Sequence, residues 1–459
     1  MKNIFTLVMM MISFKCLSQT YSRTVQLHLF EWPWEDIAKE CEQYLGPNGF
    51  AAVQVSPPQD HAILPGRPWY ERYQPVSYQL ISRSGDKKSF INMVQRCKQA
   101  GVDIYVDAVI NHMTWIPQNS AILNSIGGNQ YTYYQYPNYR YNDFHHFNFN
   151  GDGSIANYND RFEVQNGNLA LCADLNTASP YVQNTIANYL NELLSMGVTG
   201  FRIDAAKHIP KQDLQQIFSR LAHPPYIYQE VIDYGDGPIR ANEYLPNGDV
   251  LNFKYSKIIS NAFLYHQTAT LIDNLKNTMD IPSDKAVVFV DNHDLERSEQ
   301  HINYKNAKAY YLANVFMLAF PCGYPQVLSG YHFNNYHEGP PTDNQGYTLS
   351  PYQRPERWVL FHRKVEILNM VQFRNRTNSY FALTNPWSGA DGQISFGRGP
   401  LGHVVINPSN KGFRANIQTS MRPGIYNDLL RQGKVVVIDP LGKINISLEP
   451  FEAMAILTK

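Results

Sequence analysis

Short runs of β-branched and aromatic residues alternate with helix-period stretches along most of the chain, and this alternation restricts the fold more than any other feature. Residues 25–30 read as a strand and residues 34–44 as an amphipathic helix. A second strand follows at 50–56, then a helical stretch near 89–100 and a strand at 102–109. Further apolar runs occupy 200–204, 226–230, a weaker one near 251–255, 286–291 and 324–328. Eight such runs with helical patterns between most of them favour an α/β fold, a parallel (β/α)8 TIM barrel rather than a sandwich. Polar residues gather where the strands end, the face on which such barrels carry their chemistry.

Two regions break the alternation. Residues 113–172 are rich in Tyr, Asn and Gly with little periodicity, too long a stretch for a plain loop. They are expected to form a subdomain inserted after strand 3. From about Asn378 onward the helical patterns vanish. Segments such as 403–406, 435–438 and 444–448, separated by Gly, Pro and Asn, read as a C-terminal all-β sandwich domain. The expected division is a leader over 1–18, the barrel over 19–112 and 174–377, the insert over 113–173, and the β-domain over 378–459.

The leader has the form of a secretory signal. Lys2 supplies a positive start, residues 4–14 form an apolar run too short to span a membrane, and Cys16-Leu-Ser18 offers a cleavage site. No later stretch reads as a transmembrane helix, so the mature protein is expected to be secreted, extracellular and monomeric. Cleavage leaves Cys41, Cys97, Cys172 and Cys322. No CxxC pair is present, so a thiolate metal site is not expected, and the residues alone leave three possible full pairings. The chain carries 39 Lys and Arg against 39 Asp and Glu, which gives no electrostatic footprint for nucleic acid or an anionic membrane. With 44 % hydrophobic residues it can bury a large core, which argues against disorder. The 13 % of aromatic residues suits recognition of a polar, uncharged ligand with flat faces, such as a sugar.

Three carboxylates stand at expected strand ends: Asp204, Glu230 and Asp294. A lone carboxylate at such a place is ordinarily a helix cap or a loop ion pair. Three of them, interleaved with Arg202, His112 and His293, are harder to assign to capping. Glycoside cleavage needs such a set: a protonated acid for the leaving oxygen, and an ionised carboxylate that attacks or stabilises the cationic sugar carbon. A barrel brings distant strand ends to one mouth, so these residues can face one sugar.

The motifs around these residues place the resemblance. Asp107-Ala-Val-Ile-Asn111-His112, Gly200-Phe-Arg-Ile-Asp-Ala-Ala-Lys-His208, Glu230-Val-Ile-Asp233 and Phe289-Val-Asp-Asn-His-Asp294 occur in order at strands three, four, five and seven. Together with His28-Leu-Phe-Glu-Trp32 and Arg67-Pro-Trp-Tyr-Glu-Arg-Tyr-Gln-Pro75, the chain resembles the alpha-amylases of glycoside hydrolase family 13, in particular the animal-type branch and its bacterial relatives. The resemblance implies that Asp204 is the nucleophile, Glu230 the general acid/base, and Asp294 a third acid that binds sugar hydroxyls and strains the ring. Arg202, two residues before Asp204 on the same strand face, would hold that carboxylate ionised. By the same resemblance His112, His208, His293, Lys207 and Gln74 contact substrate, and Trp69, Tyr70 and Tyr73 form an aromatic platform. Tyr70 stands where that branch usually has a second Trp. His112 and His293 could instead be structural histidines and the aromatics core packing, but Pro68, Glu71, Arg72 and Pro75 argue for a surface loop. The pair His145-His146 has no visible third ligand and is not expected to bind metal.

The resemblance also implies calcium. Asn111 and Asp174 would give side-chain oxygens, and Gln165 and His208 backbone carbonyls, pinning the insert to the barrel. The animal branch holds a chloride with an Arg and an Asn matching Arg202 and Asn292, plus a third basic residue. Gln326 occupies that third position, a neutral amide without the guanidinium fork, so chloride is not expected. After Asp294 the glycine-rich mobile loop of that branch is replaced by Leu295-Glu-Arg-Ser-Glu-Gln300, which implies a more open cleft. Cys41 and Cys97 match a family disulfide, leaving Cys172 and Cys322 free and buried. Asn375-Arg-Thr and Asn445-Ile-Ser are glycosylation sequons, meaningful in a eukaryotic source. The implied activity is endo-hydrolysis of α-1,4-glucosidic bonds in starch, glycogen and malto-oligosaccharides. A transglycosylase of the same family and a non-catalytic starch-binding protein are the alternatives.

Overall fold

A computed structural model of the chain describes residues 23–458. The leader expected over 1–18 lies outside the described residues. Eight parallel strands form a closed barrel: β1 (Gln26–Leu29), β2 (Ala52–Val55), β3 (Asp103–Ala108), β4 (Gly200–Ile203), β5 (Tyr226–Gln229), β6 (Asp249–Leu251), β7 (Ala286–Phe289) and β8 (Tyr324–Ser329), in the order β1-β8-β7-β6-β5-β4-β3-β2. Almost every residue of these strands is buried, as expected of a parallel sheet covered on both faces.

Helices α1 (Trp34–Glu40), α2 (Lys87–Gln99), α3 (Pro180–Ser195), α4 (Lys211–Phe218), α5 (Phe253–Leu264), α6 (Leu271–Thr278), α7 (Ala307–Ala319) and α8 (Val365–Thr377) accompany the strands. Helix α2 shows how the local code works. Asp86 and Ser89 form a capping box at its start, and Phe90, Met93, Val94 and Cys97 recur on one buried face. Cys97 is bonded to Cys41, which follows α1, while Cys172 and Cys322 are free and buried. Among the described residues no helix is long and apolar enough to cross a membrane.

The sixth strand departs from expectation. It ends at Leu251 because the Asn252 side chain accepts from the Tyr255 N–H at 2.9 Å and starts α5 there, so the apolar residues expected to extend the strand are helical.

The insert begins and ends on one short antiparallel ladder, His112 opposite Asp174 and Met113 opposite Ala173. Its aromatic residues join the barrel's core: Tyr131, Tyr134, Tyr136, Tyr139 and Phe144 are all buried, and Phe144 packs against Tyr134, Tyr136 and Tyr139. After α8 the chain turns to strands β9 (Thr384–Ser388), β10 (Ile394–Gly397), β11 (Gly402–Asn407), β12 (Phe413–Gln418), β13 (Gly424–Asn427), β14 (Val435–Ile438), β15 (Lys443–Leu448) and β16 (Glu452–Leu457). They form two four-stranded sheets, β9-β10-β11-β16 and β12-β15-β14-β13. Inward residues such as Val405, Val436, Ile438, Ile444, Ile446, Met454 and Ile456 share one core, the pattern of a β-sandwich. Arg398 ties this unit to the barrel helices, donating to the carbonyls of Ala319 and Thr377.

Candidate active site

The register of the barrel sheet assembles the charged centre. Arg202 on β4 lies opposite Asp107 on β3 and Tyr228 on β5. Its guanidinium donates from Nη1 to Asp107 Oδ1 at 2.6 Å and to Asp204 Oδ1 at 2.7 Å, and from Nη2 to Glu230 Oε1 at 2.6 Å. One fork therefore holds both expected catalytic carboxylates and a third beneath them. Past Asp204 the chain turns through Ala205, which has a left-handed φ of 48°. That turn aims the Ala205 N–H at Glu230 Oε2, 2.8 Å away.

Burial raises the pKa of Asp107 and Asp204, with neighbouring carboxylates adding to the rise and Arg202 opposing it. Asp294, just past β7, is pushed up to about 7 by its dehydrated setting and then by the Glu230 carboxylate. Its side chain is still 36 % exposed, so it faces the open cleft while Asp204 and Glu230 sit deeper.

His293 lies between this centre and the aromatic wall. Its Nε2 is 3.5 Å from Asp294 Oδ2, and its ring stacks on Tyr73 at 5.1 Å and on Phe30 at 4.8 Å. Burial and Arg202 lower its pKa well below the usual range, so the ring is neutral, and its Nδ1 has no partner among the described residues.

The expected platform is arranged differently. Tyr73 is buried and donates its hydroxyl to Asp107 Oδ2 at 2.8 Å, so it floors the site instead of presenting a face to solvent. Trp69 is also buried, packed edge-on against Phe30, Tyr70, Tyr73 and His293. Tyr70 is half-buried and lies 3.2 Å from His337 Nδ1 through its hydroxyl. The segment carrying them is no surface loop: Glu71 and Arg72 are fully buried, because Glu31 accepts from both Arg72 and Arg83 at 3.1 and 2.7 Å.

His112, expected to offer a donor to sugar, has both ring nitrogens engaged within the protein. Nε2 donates to the Tyr73 carbonyl at 3.0 Å and Nδ1 lies 3.3 Å from Asn111 Nδ2, so a substrate hydroxyl would have to displace one of them. Gln74 accepts from Thr114 and the Trp115 N–H and donates to Cys172 Sγ, which fixes the insert beside the cleft. Lys207 donates to the Ile232 carbonyl at 2.7 Å, and His208 is buried with Nδ1 2.9 Å from the Val164 carbonyl.

Of the four residues implied for calcium, two bond each other and the other two are neighbours through Val164. Asn111 Nδ2 donates to Asp174 Oδ1 at 3.2 Å, and the His208 contact to Val164 brings Gln165 alongside. Asp174 is buried, which raises its pKa to about 6, and His145 Nδ1 lies 2.7 Å from its other oxygen. No hydrogen bond of the described residues ends on the carbonyl of Gln165 or His208. Two free carbonyls, an amide oxygen and a buried carboxylate are hard oxygen donors, a set that fits calcium. At the implied chloride position Gln326 donates to Gln54 Oε1 at 2.9 Å, and Tyr228 donates to the same oxygen at 2.8 Å. The Asn292 Oδ1 accepts from the N–H groups of Asp294 and Leu295, which fixes the orientation of its amide.

Comparison with known proteins agrees with this geometry. The model of the alpha-amylase catalytic domain matches residues 43–239. An alpha-amylase of Tenebrio molitor is 40 % identical over 462 residues, covering 94 % of this chain and 96 % of the relative. The chain belongs to the alpha-amylase family. An alpha-amylase of Thermomonospora curvata is 44 % identical over 421 residues, 89 % of this chain and 68 % of that relative. Among solved structures, alpha-amylase I of Eisenia fetida, determined as the wild type and as a mutant in complex with maltohexaose, superposes with a TM-score of 0.89 at 33 % identity, covering 96 % of this chain and 98 % of that one. Family membership makes the chain a glycoside hydrolase.

Within this alpha-amylase centre the sequence reading passed over four residues. Asp107 is quoted in the first motif yet has no role there, although its place on β3 opposite Arg202 makes it a charge partner. The Ala205 N–H is a backbone donor that no side-chain pattern announces. Arg297 and Tyr336, from the loops after β7 and β8, lie against Trp69 at 5.2 and 6.2 Å, and those loops carry no recognised motif.

Proposed function

We propose that the protein is a secreted, endo-acting alpha-amylase that hydrolyses internal α-1,4-glucosidic bonds of starch, glycogen and malto-oligosaccharides with retention. The observation that carries this reading is the single Arg202 fork on Asp204 and Glu230. Holding both carboxylates on one guanidinium suits the close spacing of about 5–5.5 Å used by retaining enzymes better than the wider gap that admits a water between them. Asp204 attacks the anomeric carbon while Glu230 protonates the departing oxygen, and Glu230 then takes a proton from the water that releases the glycosyl group. Arg202 and the Ala205 N–H orient the two carboxylates. Asp294, open to the cleft, binds sugar hydroxyls, and the neutral His293 beside it offers a further hydrogen-bonding ring. The relatives' names and the maltohexaose complex of the Eisenia enzyme support the substrate class.

Calcium would be held by Asn111, Asp174 and the Gln165 and His208 carbonyls, and when bound it supplies charge that fixes the insert against the barrel. Gln326, a neutral amide whose N–H is already given to Gln54, supports activity without chloride. Export is supported by the residue 1–18 pattern and by the Cys41–Cys97 disulfide, a bond of oxidising compartments. The division into barrel, insert (113–173) and β-domain (378–459) is carried into this reading.

Asp204→Asn tests the assignment. Starch hydrolysis read by iodine should fall at least about 10⁴-fold, since removing a nucleophile leaves only binding and electrostatic help, while thermal unfolding and maltoheptaose binding persist. Retained turnover in that variant rules the assignment out.

A further inference from the structure

Two carboxylates flank Asp294 along the chain without the partners that buried charge requires. Asp291, three residues before it, is 3 % exposed, and Glu296, two residues after it, is 2 % exposed. Asp291 Oδ1 accepts from the Tyr310 hydroxyl of α7 at 2.8 Å. Its Oδ2 and Glu296 Oε1 have no hydrogen-bond partner among the described residues. A carboxylate oxygen stripped of both water and donors is strongly disfavoured, and such a group keeps a proton instead.

The backbone brings the two acids together. The Glu296 N–H donates to the Asn292 carbonyl at 2.9 Å, one helical turn back, so residue 296 returns over the start of its own segment. His293 and Asp294 lie inside the loop that this bond closes. Asn303 Nδ2 donates to the Glu296 carbonyl at 2.9 Å, which fixes Leu295–Arg297 as a 3-10 turn. Burial and then the Glu296 carboxylate raise the pKa of Asp291. Burial pushes Glu296 itself up to about 8, against the pull of Arg297 and Lys305 and with a push from Asp294.

No neighbouring group supplies the missing donor. Arg297 Nη2 stands 4.0 Å from Glu296 Oε1 and donates to the Tyr331 hydroxyl at 2.7 Å instead. Lys305 is exposed, with its ammonium over the Phe333 ring at 3.9 Å. Three phenols feel the Glu296 charge. Tyr310 donates to Asp291, Tyr331 donates to the Glu338 carbonyl at 2.8 Å, and the Tyr304 oxygen accepts from the Phe333 N–H at 3.1 Å.

We infer that Asp291 and Glu296 share one proton between their two bare oxygens, and that this shared proton positions the turn carrying His293 and Asp294 for catalysis. The role given to Asp294 rests on the proposed function; the pair does not. Asp291 and Glu296 touch no substrate and act as positioning residues. As pH climbs the proton passes to solvent, two charges then face each other with neither water nor a donor, and the turn shifts. The enzyme therefore loses kcat above about pH 8 through this pair.

Glu296→Gln tests this, because its amide keeps the shape and donates to Asp291 Oδ2 with no proton to lose. On starch its kcat near neutrality should stay within about twofold of native, and the alkaline limb should move up by about one pH unit or more. Asp291→Asn should move the limb in the same direction from the other side. A second readout is independent of turnover. A carboxyl held protonated in the fold costs stability as pH climbs from its unfolded value of about 4.3 to about 8, because the unfolded chain has already released the proton. Relative to native, the urea midpoint of Glu296→Gln should rise across that interval and run parallel above it. A midpoint difference that does not change with pH overturns the shared proton, and so does a response in only one of two folded variants; if one fails to fold, the other decides alone. A midpoint that rises while the alkaline limb stays in place overturns the positioning role. If the native protein cuts no glucan, the proposed function falls and the midpoints alone decide the pair.

Discussion

Removing Arg202 perturbs the charged centre with least disturbance elsewhere. Its guanidinium is 1 % exposed and donates to three carboxylates at 2.6, 2.7 and 2.6 Å. Arg202→Met keeps much of the bulk and leaves Asp107, fully buried, with the Tyr73 hydroxyl and the Gln54 amide as its polar neighbours. Deleting one member of a buried ion pair costs about 3–5 kcal/mol. Three charge-assisted bonds at about 1.5–3 kcal/mol each would sum to more, but an orphaned carboxyl escapes by taking a proton, so the smaller range applies.

That escape gives the variant a pH signature. Burial raises Asp107 and Asp204 above their unfolded values, and Arg202 holds the rise back. Without it both rise further. A carboxyl with a folded pKa above the unfolded one contributes stability while protonated, and loses it as pH climbs through the folded value. Relative to the native protein, Arg202→Met should therefore lose least near the unfolded carboxyl pKa of about 4 and the full 3–5 kcal/mol above neutrality. Urea unfolding across that pH range measures it. Arg202→Lys keeps a charge, but one ammonium cannot span three carboxylates. It should fold, with kcat reduced about 10²- to 10³-fold, the effect of losing one positioned donor. A pH-independent loss below about 1 kcal/mol, or native turnover in the Lys variant, would refute the reasoning.

Initial rates in chloride-free buffer and at saturating chloride should agree, because Gln326 is bonded to Gln54 and brings no charge; several-fold activation contradicts this. Added calcium should raise the thermal midpoint, by about 2.7 kcal/mol of stability at a hundred times the dissociation constant, and Asp174→Asn should abolish most of that rise. A midpoint indifferent to both calcium and chelator excludes the proposed ligand set.

Features that one segment encodes by itself were legible in the sequence. The fourth strand and Asp204 show as a short apolar run ending in a carboxylate, and α2 shows as a helical stretch near 89–100. Asp107 stood in a motif but without a partner, because its contact to Arg202 spans 95 residues and exists only through the β3–β4 register. The residues expected as a platform lie together, but Trp69 and Tyr73 are buried where a surface loop was expected. Burial of Trp69 and Tyr73 depends on Phe30, His293 and Arg297, which arrive from the loops after β1 and β7. Tyr336 was missed for the same reason, since its meaning comes from a ring 267 positions earlier in the chain.

Ala205 marks the limit of such reading. A residue that must adopt a left-handed conformation is usually announced by glycine, but the chain runs Asp204-Ala-Ala through that turn. The conformation costs about 1–2 kcal/mol with a Cβ present. It is held by two bonds to Glu230, the Ala205 N–H to Oε2 at 2.8 Å and the Lys207 N–H to the carbonyl at 3.1 Å, and by one within the turn, the His208 N–H to the Ala205 carbonyl at 2.8 Å. Glycine would relieve the strain but give the turn more freedom when unfolded and less hold on the carboxylate when folded. Strain at this position is therefore the counterpart of a fixed Glu230, and the Cβ that causes it also narrows the backbone to the one geometry that aims an N–H at the acid.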